Sequence, residues 1–472
     1  MIGAMLRLFL SAAHKSSGKT TVTVGLAAAL RARGFVVQPF KKGPDYIDPM
    51  WLTAAAGRSC RNLDFHTMGR EEIRAEFAQR SAGADLSLVE GNKGLHDGVS
   101  VDGADSNAAL AKLLAAPVAL VVDTRGITRG IAPLLHGYRN FDPGVRIAGV
   151  ILNQVAGARH EGKLVSAVRA YTDIPVLGAI GRSPDLALDA AHIGLVPPVE
   201  VARAEDRVAR IARRIEADVD LDAVHECAAR AEALDAAPAP ALLPRPAARG
   251  SEVRIAIAHD AAFCFYYPGD LEALEAAGAR LVPFDTLRDP APPETDGIFI
   301  GGGFPERAMS ALEANVSMRA SLRERIAAGV PVYAECGGLM YLARRIRWDA
   351  RDCEMVGAIP ADVVMHRRPR GRGYVVLEPT GDAPWAPAAK GPVHAHEFHH
   401  SSLENMAGSD WRYAYRVRRG RGVDGERDGI VIGNLLASYS HLRDVEGCRW
   451  GERFVAYVRE RKLGCKGTPN DV

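Results

Sequence analysis

The fold turns on the stretch "LRLFLSAAHKSSGKTTVTVGLAAALRARG", Leu6 to Gly34. A short apolar run enters a loop of small and cationic residues, and an Ala/Leu-rich helical stretch leaves it. Strand, glycine-lysine loop and helix in that order form a phosphate-binding unit. The pattern G-x-x-x-x-G-K-[ST] is met except that Ala13 stands at the first glycine. Each residue type has a task. Gly18 lets the backbone bend so that its N–H groups face phosphate oxygens. Lys19 brings a charge to the terminal phosphates, and Thr20 offers a hydroxyl to Mg²⁺. Ser16, Ser17 and Thr21 complete a loop whose N–H groups, with the helix N-terminus behind them, favour an anion. Lys15 is one position late for the extra lysine of one phosphate-loop subclass, so its role stays open. The bland alternative is a Gly/Ser turn that binds nothing; the strand-loop-helix context weighs against it.

Outward from this unit the first half keeps a βα rhythm. Apolar runs "FVVQPFKK", "DLSLVEG", "APVALVVD", "VRIAGVILN" and "IPVLGAIG" alternate with helical segments, the pattern of a mostly parallel sheet. Near Ala231 the rhythm stops in "AEALDAAPAPALLPRPAARGSE", which reads as a linker. It restarts with "VRIAIAHD", "ARLVPFD", "DGIFIGGG" and "GVPVYAEC". The expected organisation is an α/β phosphate-loop domain over 1–230, a linker over 231–252 and a second α/β domain over 253–462. The last residues, "CKGTPNDV", read as a frayed tail.

Composition excludes several classes. With 472 residues the chain is too long for one core. Charged residues are 25%, hydrophobic ones 47% and the net charge is +2, so bulk charge makes no case for nucleic acid or a membrane surface. No apolar run approaches the roughly 20 residues of a membrane helix. The N-terminal apolar run imitates a signal peptide, but it is short and leads straight into the glycine-lysine loop, so it reads as a buried strand. Seven scattered cysteines without a CxxC fit a reducing compartment. A cytoplasmic protein is expected.

Carboxylates gather at the strand ends of the first half. "GPDYIDP" places Asp45 and Asp48 after the second strand, and "LSLVEGNKGLHDG" ends a strand with Glu90 and carries Asp97 in the following loop. The ligand edge of a parallel sheet is where strands meet these loops. Unpaired, such acids repel each other, and a metal ion with a cationic loop removes the problem. Glu90 holds the usual position of an acidic Mg²⁺ partner. Each acid alone reads equally well as a turn or cap residue. Asn153, ending "VILNQV", can bond an adenine edge or serve as a turn asparagine.

In the second half, "GIFIGGGFPE" closes a strand with Gly301, Gly302 and Gly303, and "PVYAECGG" closes the next with Cys336. A buried packing cysteine is the bland reading. A cysteine on a strand-to-helix turn exposes its sulfur at the sheet edge, where a helix N-terminus favours the thiolate. Backbone N–H groups of Gly302, Gly303 and Gly337 are candidates for an oxyanion site. His441 in "LLASYSHLR" is the candidate base, distant in sequence as in other Cys/His nucleophiles. The cluster "HAHEFHHSS" lacks the spacing of a metal site and reads better as a wall facing substrate or the other domain.

These motifs together resemble a family. "GGGFPE", "AECGGLMYL" and "SYSHL" resemble the class I glutamine amidotransferase domain of the cobyrinate and cobyric acid synthase branch. "SSGKTT", "FKKGPDYIDP", "AAGRSCRNLDF", "EGNKGLHDG" and "HIGLVP" resemble the synthetase domain of cobyrinate a,c-diamide synthases. The resemblance spans nearly the whole chain, with both halves in order. It implies a ligase that uses ATP and Mg²⁺ to phosphorylate a peripheral tetrapyrrole carboxylate. Ammonia from glutamine then displaces the phosphate. By position, Cys336 is the implied nucleophile and His441 its base and acid. Lys19 and Thr20 hold ATP and Mg²⁺, while Asp45, Asp48 and Glu90 support the metal and acyl-phosphate formation. Asp97 acts at the ammonia step or in substrate placement, and Tyr46 and Ile47 contact the macrocycle. The implied partners are glutamine and the tetrapyrrole, with a homodimer compatible and neither nucleic acid nor membrane expected.

The chain departs from the family pattern at informative places. Many class I amidotransferases read His-x-Glu, whereas here His441 is followed by Leu442 and Arg443. The third member of the site is absent or supplied elsewhere. Lys42, and Asn92 with Lys93, replace the family's commoner residues. Two added cations suggest a more anionic macrocycle, and a siroheme-type substrate is the alternative kept beside cobyrinate. Two further alternatives are a phosphate-loop regulatory ATPase with an inactive amidotransferase domain, and a ligase acting on another carboxylate.

Overall fold

The computed structural model describes residues 5–186, 188, 190–191, 194–201, 203–234, 252–385, 391–408 and 411–464. Most of the expected linker, the terminal tail from Cys465, and His192 and Ile193 of the "HIGLVP" motif therefore lie outside the described residues. The chain divides into two compact units, residues 1–65 with 69–242, and residues 66–68 with 243–472.

The first unit is built on seven strands: β1 (Arg7–Ala12), β2 (Val37–Lys42), β3 (Arg61–Leu63), β4 (Leu86–Glu90), β5 (Val118–Asp123), β6 (Ile147–Val155) and β7 (Val176–Gly181). Their order across the sheet is β3-β2-β4-β1-β5-β6-β7, and every pairing is parallel. Strands covered on both faces are mostly apolar, and β1, β2, β4 and β5 are buried at every residue, their few polar side chains included. Register decides the chemistry. Glu90 at the end of β4 lies opposite Leu10 of β1 and opposite Lys41 of β2.

Helix α1 (Lys19–Ala32) follows β1. It is covered by the helix Ala204–Asp218, whose Val208, Ile211, Ala212 and Ile215 form a buried i, i+3, i+4, i+7 stripe. Gly25 is the point of closest approach: a Cβ there would stand 2.2 Å from Ile215 Cγ1.

The second unit carries a nine-stranded sheet: β8 (Val253–Ala258), β9 (Ala279–Phe284), β10 (Gly297–Ile300), β11 (Val332–Glu335), β12 (Gly371–Pro379), β13 (Val393–His399), β14 (Arg412–Arg419), β15 (Arg427–Ile432) and β16 (Leu435–Ser438). The order is β9-β8-β10-β11-β16-β15-β14-β12-β13. Strands β9, β8, β10, β11 and β16 are parallel, and the other four continue the sheet antiparallel. The unit is thus α/β as expected, with an antiparallel extension that its βα rhythm did not reveal. A smaller four-stranded sheet is built from Ala343–Trp348, Arg351–Glu354, Ile359–Met365 and Ser401–Glu404.

Gly25→Ala sets two effects against each other. Helix propensity alone favours the variant by about 1 kcal/mol. Overpacking against Ile215 costs about 1–3 kcal/mol. We expect the denaturant midpoint to fall, checked by urea titration followed through circular dichroism.

Candidate active sites

The phosphate loop is shaped by backbone and braced from β6. Ser16 and Gly18 have φ of +66° and +85°, left-handed geometry that Gly18 adopts without strain. Asn153 Nδ2 donates to the Ser17 carbonyl at 2.8 Å, and its Oδ1 accepts from Gln154 N at 2.9 Å. Asn153 therefore supports the loop instead of standing free at an adenine edge. A Cβ on Gly18 would lie 2.3 Å from Asn153 Nδ2, so glycine is required on packing grounds as well. Ser17 Oγ donates to the His14 carbonyl at 2.7 Å, while Lys15 and Ser16 are exposed. Thr21 is half-buried in the first turn of α1. Lys19 is 8% exposed and donates to the Lys93 carbonyl at 2.6 Å. Burial, then the neighbouring Lys41, lowers its pKa to about 8 against the pull of Glu90, Asp48 and Asp97.

The strand-end acids converge on Thr20. Its Oγ1 donates to Glu90 Oε1 at 2.7 Å and approaches Asp48 Oδ2 at 3.2 Å. Lys41 enters the same cluster, with Nζ 2.5 Å from Asp48 Oδ2 and 2.8 Å from Glu90 Oε1. Burial opposes the charge on Lys41, yet the two carboxylates hold its pKa well above the ordinary lysine value. Burial raises the pKa of Glu90, and Lys41 opposes that rise. Glu90 is wholly buried, and its Oε2 has no hydrogen-bond partner among the described residues. That orphaned oxygen beside Asp48 and the Thr20 hydroxyl fits a hard cation. Mg²⁺ needs only one or two carboxylates when phosphates and water complete its shell. Among the described residues no group of three or more His, Cys, Asp and Glu side chains forms an all-protein metal cage.

Other expected site residues have local duties. Asp45 Oδ1 accepts from the backbone N–H groups of Ile47 and Asp48 at 2.9 and 3.0 Å, which starts helix α2 (Ile47–Ala56). Burial, then Asp48, pushes the Asp45 pKa up to about 7. Tyr46 is 8% exposed, and half-buried Ile47 packs against the core of the unit. Lys42 is 5% exposed and donates to Asn92 Oδ1 at 3.4 Å. Burial lowers its pKa, and it presents no charge outward. Lys93 is exposed, with φ +42°. Asp97 Oδ2 accepts from Gly94 N at 2.9 Å, closing a turn within electrostatic reach of Lys19.

In the second unit Cys336 stands between β11 and the short helix Gly337–Leu342 with φ +46° and ψ −98°. A non-glycine residue held there stores about 1–3 kcal/mol of strain, a mark of functional turns. Its N–H donates to the Ser438 carbonyl at 2.7 Å, and Sγ lies 3.8 Å from the Phe398 carbonyl. Gly302 abuts the imidazole, and Gly337 abuts Gly303. A Cβ on Gly302 would lie 2.6 Å from His441 Cε1, and one on Gly337 would lie 3.0 Å from Gly303 N.

His441 is fixed from several sides. Ser440 N donates to buried Asp428, His441 N to the His396 carbonyl, and Leu442 N to Glu335 Oε1, at 2.9, 2.8 and 2.8 Å. The His441 ring stacks on His396 with centroids 4.8 Å apart and planes 14° apart. Burial would lower its pKa, but the neighbouring Cys336 and Glu335 stabilise the charged ring and raise it to about 10. Burial, then His441, keeps His396 well below the ordinary histidine range, so that ring is the neutral partner.

Comparison with known proteins finds a family match for each half of the chain. The family described as "CobQ/CobB/MinD/ParA nucleotide binding domain" matches residues 11–195, and the "CobB/CobQ-like glutamine amidotransferase domain" matches residues 254–444. A protein of Magnetococcus marinus named cobyrinate a,c-diamide synthase is 48% identical, with 96% of this chain and 97% of that protein aligned. The chain belongs to the cobyrinate a,c-diamide synthase family. A Methanosarcina acetivorans protein of the same name is 41% identical over 94% of this chain and 93% of its own. One from Listeria innocua is 39% identical over 93% and 96%.

Within this family member, sequence reasoning missed Lys41, Glu335 and Asp428, and it read His396 only as part of the histidine-rich wall. Lys41 stands beside the lysine that was singled out, and Glu335 immediately precedes the nucleophile. Both signals were present, but the strand adjacency that gives them meaning was not.

Three outcomes follow from the two geometries. Gly302→Ala drives a methyl group into His441, so glutamine-driven turnover should fall ~10²-fold while ammonia-driven turnover persists; initial rates with each nitrogen source decide it. Lys41→Met leaves buried Glu90 and half-buried Asp48 without their cation, a loss on the scale of about 3–5 kcal/mol. A lowered thermal midpoint and loss of ATP-dependent synthesis with either nitrogen source are expected, with glutamine hydrolysis retained. The folded pKa of His441, about 10, lies above its ordinary 6.5. Its stabilising contribution is therefore complete below about 6.5 and lost as pH rises through about 10. Glutamine hydrolysis should decline over the same alkaline range, measured as a pH–rate profile.

Proposed function

We propose that this protein is an ATP-dependent, glutamine-hydrolysing ligase that converts the a and c carboxylates of cobyrinate into amides. One observation carries the reading. A phosphate loop with converged Thr20, Asp48, Glu90 and Lys41, and a strained Cys336 beside His441, occur in one chain. The names of its relatives support the macrocycle. Burial of Lys42 removes half of the charge argument for a siroheme-type substrate.

The chemistry divides between the sites. A substrate carboxylate oxygen attacks the γ-phosphorus of ATP, ADP leaves, and an acyl phosphate remains. Lys19 and the loop N–H groups hold the phosphates and offset their charge. Thr20, Asp48 and Glu90 would hold Mg²⁺, which would supply further charge neutralisation when bound. At the other site Cys336 Sγ attacks the glutamine amide carbon, with backbone N–H groups of Gly303 and Gly337 beside the developing oxyanion. Protonated His441 gives its proton to the leaving nitrogen, and ammonia departs from a thioester. Water attacks that thioester with His441 as base, releasing glutamate and the thiol. Ammonia attacks the acyl phosphate, phosphate leaves, and an amide is formed.

The setting is read as cytoplasmic. Among the described residues six cysteines are free, which suits a reducing compartment, and no helix is long and apolar enough to cross a membrane.

Cys336→Ala is the test of this division. Glutamine-driven amidation should vanish while ammonium-driven amidation continues. Each amide formed on cobyrinate should lower the product mass by about one unit and remove one negative charge at neutral pH. Amidation of siroheme but not cobyrinate under the same conditions would refute the substrate assignment.

A further inference from the structure

The catalytic histidine lacks the acid that follows two residues later in many class I amidotransferases, because Arg443 occupies that place. The fold brings a different acid to the imidazole. Glu335 ends β11 and is 2% exposed. Its Oε2 lies 3.4 Å from His441 Nδ1. Its other oxygen, Oε1, accepts from the Tyr333 hydroxyl at 2.5 Å and from Leu442 N at 2.8 Å. The carboxylate is therefore immobilised by two donors that do not belong to the histidine. One of those donors is the backbone of the residue after His441, so Glu335 fixes both the ring and the chain that carries it.

We infer that Glu335 is the positioning acid of His441, supplied from the residue before the nucleophile instead of from the histidine's own strand. This rests on the assignment of Cys336 and His441 to glutamine hydrolysis and says how that site is completed. A carboxylate at Nδ1 keeps the proton on that nitrogen and leaves the other ring nitrogen to exchange a proton with Cys336, the function of the orienting acid in serine and cysteine hydrolases. At 3.4 Å the pair is in ion-pair contact without hydrogen-bond alignment, and catalytic contacts are often long or poorly aligned before substrate binds. The ring also meets Cys336, the His396 ring and Gly302. Arg443 acts on His396, the ring stacked behind it. Placing the acid next to the nucleophile in sequence has a mechanical consequence. The turn that strains Cys336 also sets Glu335, so thiol, imidazole and carboxylate share one rigid support across the parallel β11–β16 pair.

The test uses the full chain and Glu335→Gln, which keeps an acceptor for Tyr333 and Leu442 N but removes the charge and presents an amide to Nδ1. Glutamine-driven turnover should fall by ~10²-fold or more, by analogy with loss of the orienting acid in a triad. The alkaline limb of glutamine hydrolysis should move to lower pH, because the imidazolium has lost its counter-charge. Iodoacetamide inactivation of Cys336 as a function of pH should shift with it, a readout that does not depend on turnover. Ammonium-driven synthesis reports whether the rest of the chain is intact. Glu335→Asp keeps the charge, so it should retain the position of the alkaline limb and recover part of the rate. It decides the matter by the same profile if the Gln variant does not accumulate as folded protein. Glutamine turnover within about threefold of the parent in Glu335→Gln would overturn the assignment. So would a loss shared equally by both nitrogen sources with an unmoved pH profile, which is the signature of a structural residue.

Discussion

A carboxylate buried at the end of a central strand is tolerated only when positive charge and donors meet it there. Both units of this protein are organised around one. Glu90 ends β4 without exposure and meets Lys41 and Thr20. Glu335 ends β11 almost equally buried and meets Tyr333, Leu442 N and His441. In a low-dielectric setting such contacts act far more strongly than in water, and they are in place before any substrate arrives. That is the electrostatic preorganisation on which phosphoryl transfer and acyl transfer both depend. The polar partners are drawn from neighbouring strands or from the turn just beyond one, which ties the chemistry to the rigidity of the sheets.

The small residues of the two sites follow from the same crowding. Gly18 is confined by Asn153, which ties β6 to the phosphate loop. Gly302 is confined by the imidazole of His441. In each case the side chain that would fill the space is replaced by a backbone N–H that can face an anion, a phosphate at one site and an oxyanion at the other. Cys336, held at φ +46°, sits on a strained turn beside the same imidazole.

Much of this was legible in the sequence where spacing along one segment decides the outcome. The glycine-lysine loop, the acids at the ends of strands two and four, the cysteine turn and the distant histidine all carry local signatures. What the sequence left hidden depends on which strands become neighbours. Lys41 matters because β2 lies beside β4, a pairing that skips a strand in chain order. Between two adjacent lysines, the one on the acid side could not be chosen from composition, and Lys42 proved to be turned to Asn92 instead. Glu335 was overlooked because the expected acid follows the histidine by two residues, whereas β11 and β16 run parallel and bring an acid from a hundred residues earlier. The antiparallel strands β12 to β15 escaped notice because segments such as Arg412–Arg419 alternate arginine with apolar residues and carry no βα rhythm.

The claim on which all of this converges is chemical: nitrogen released at the sulfur of one unit becomes the amide made at the expense of ATP in the other. Glutamine labelled with ¹⁵N at its side-chain amide tests it most directly, with cobyrinate, ATP and Mg²⁺ and no added ammonium. The account predicts ¹⁵N in the macrocycle amides in one-to-one ratio with the ADP formed. ADP production with no label in the macrocycle, or labelled ammonium released without any amide, would contradict it.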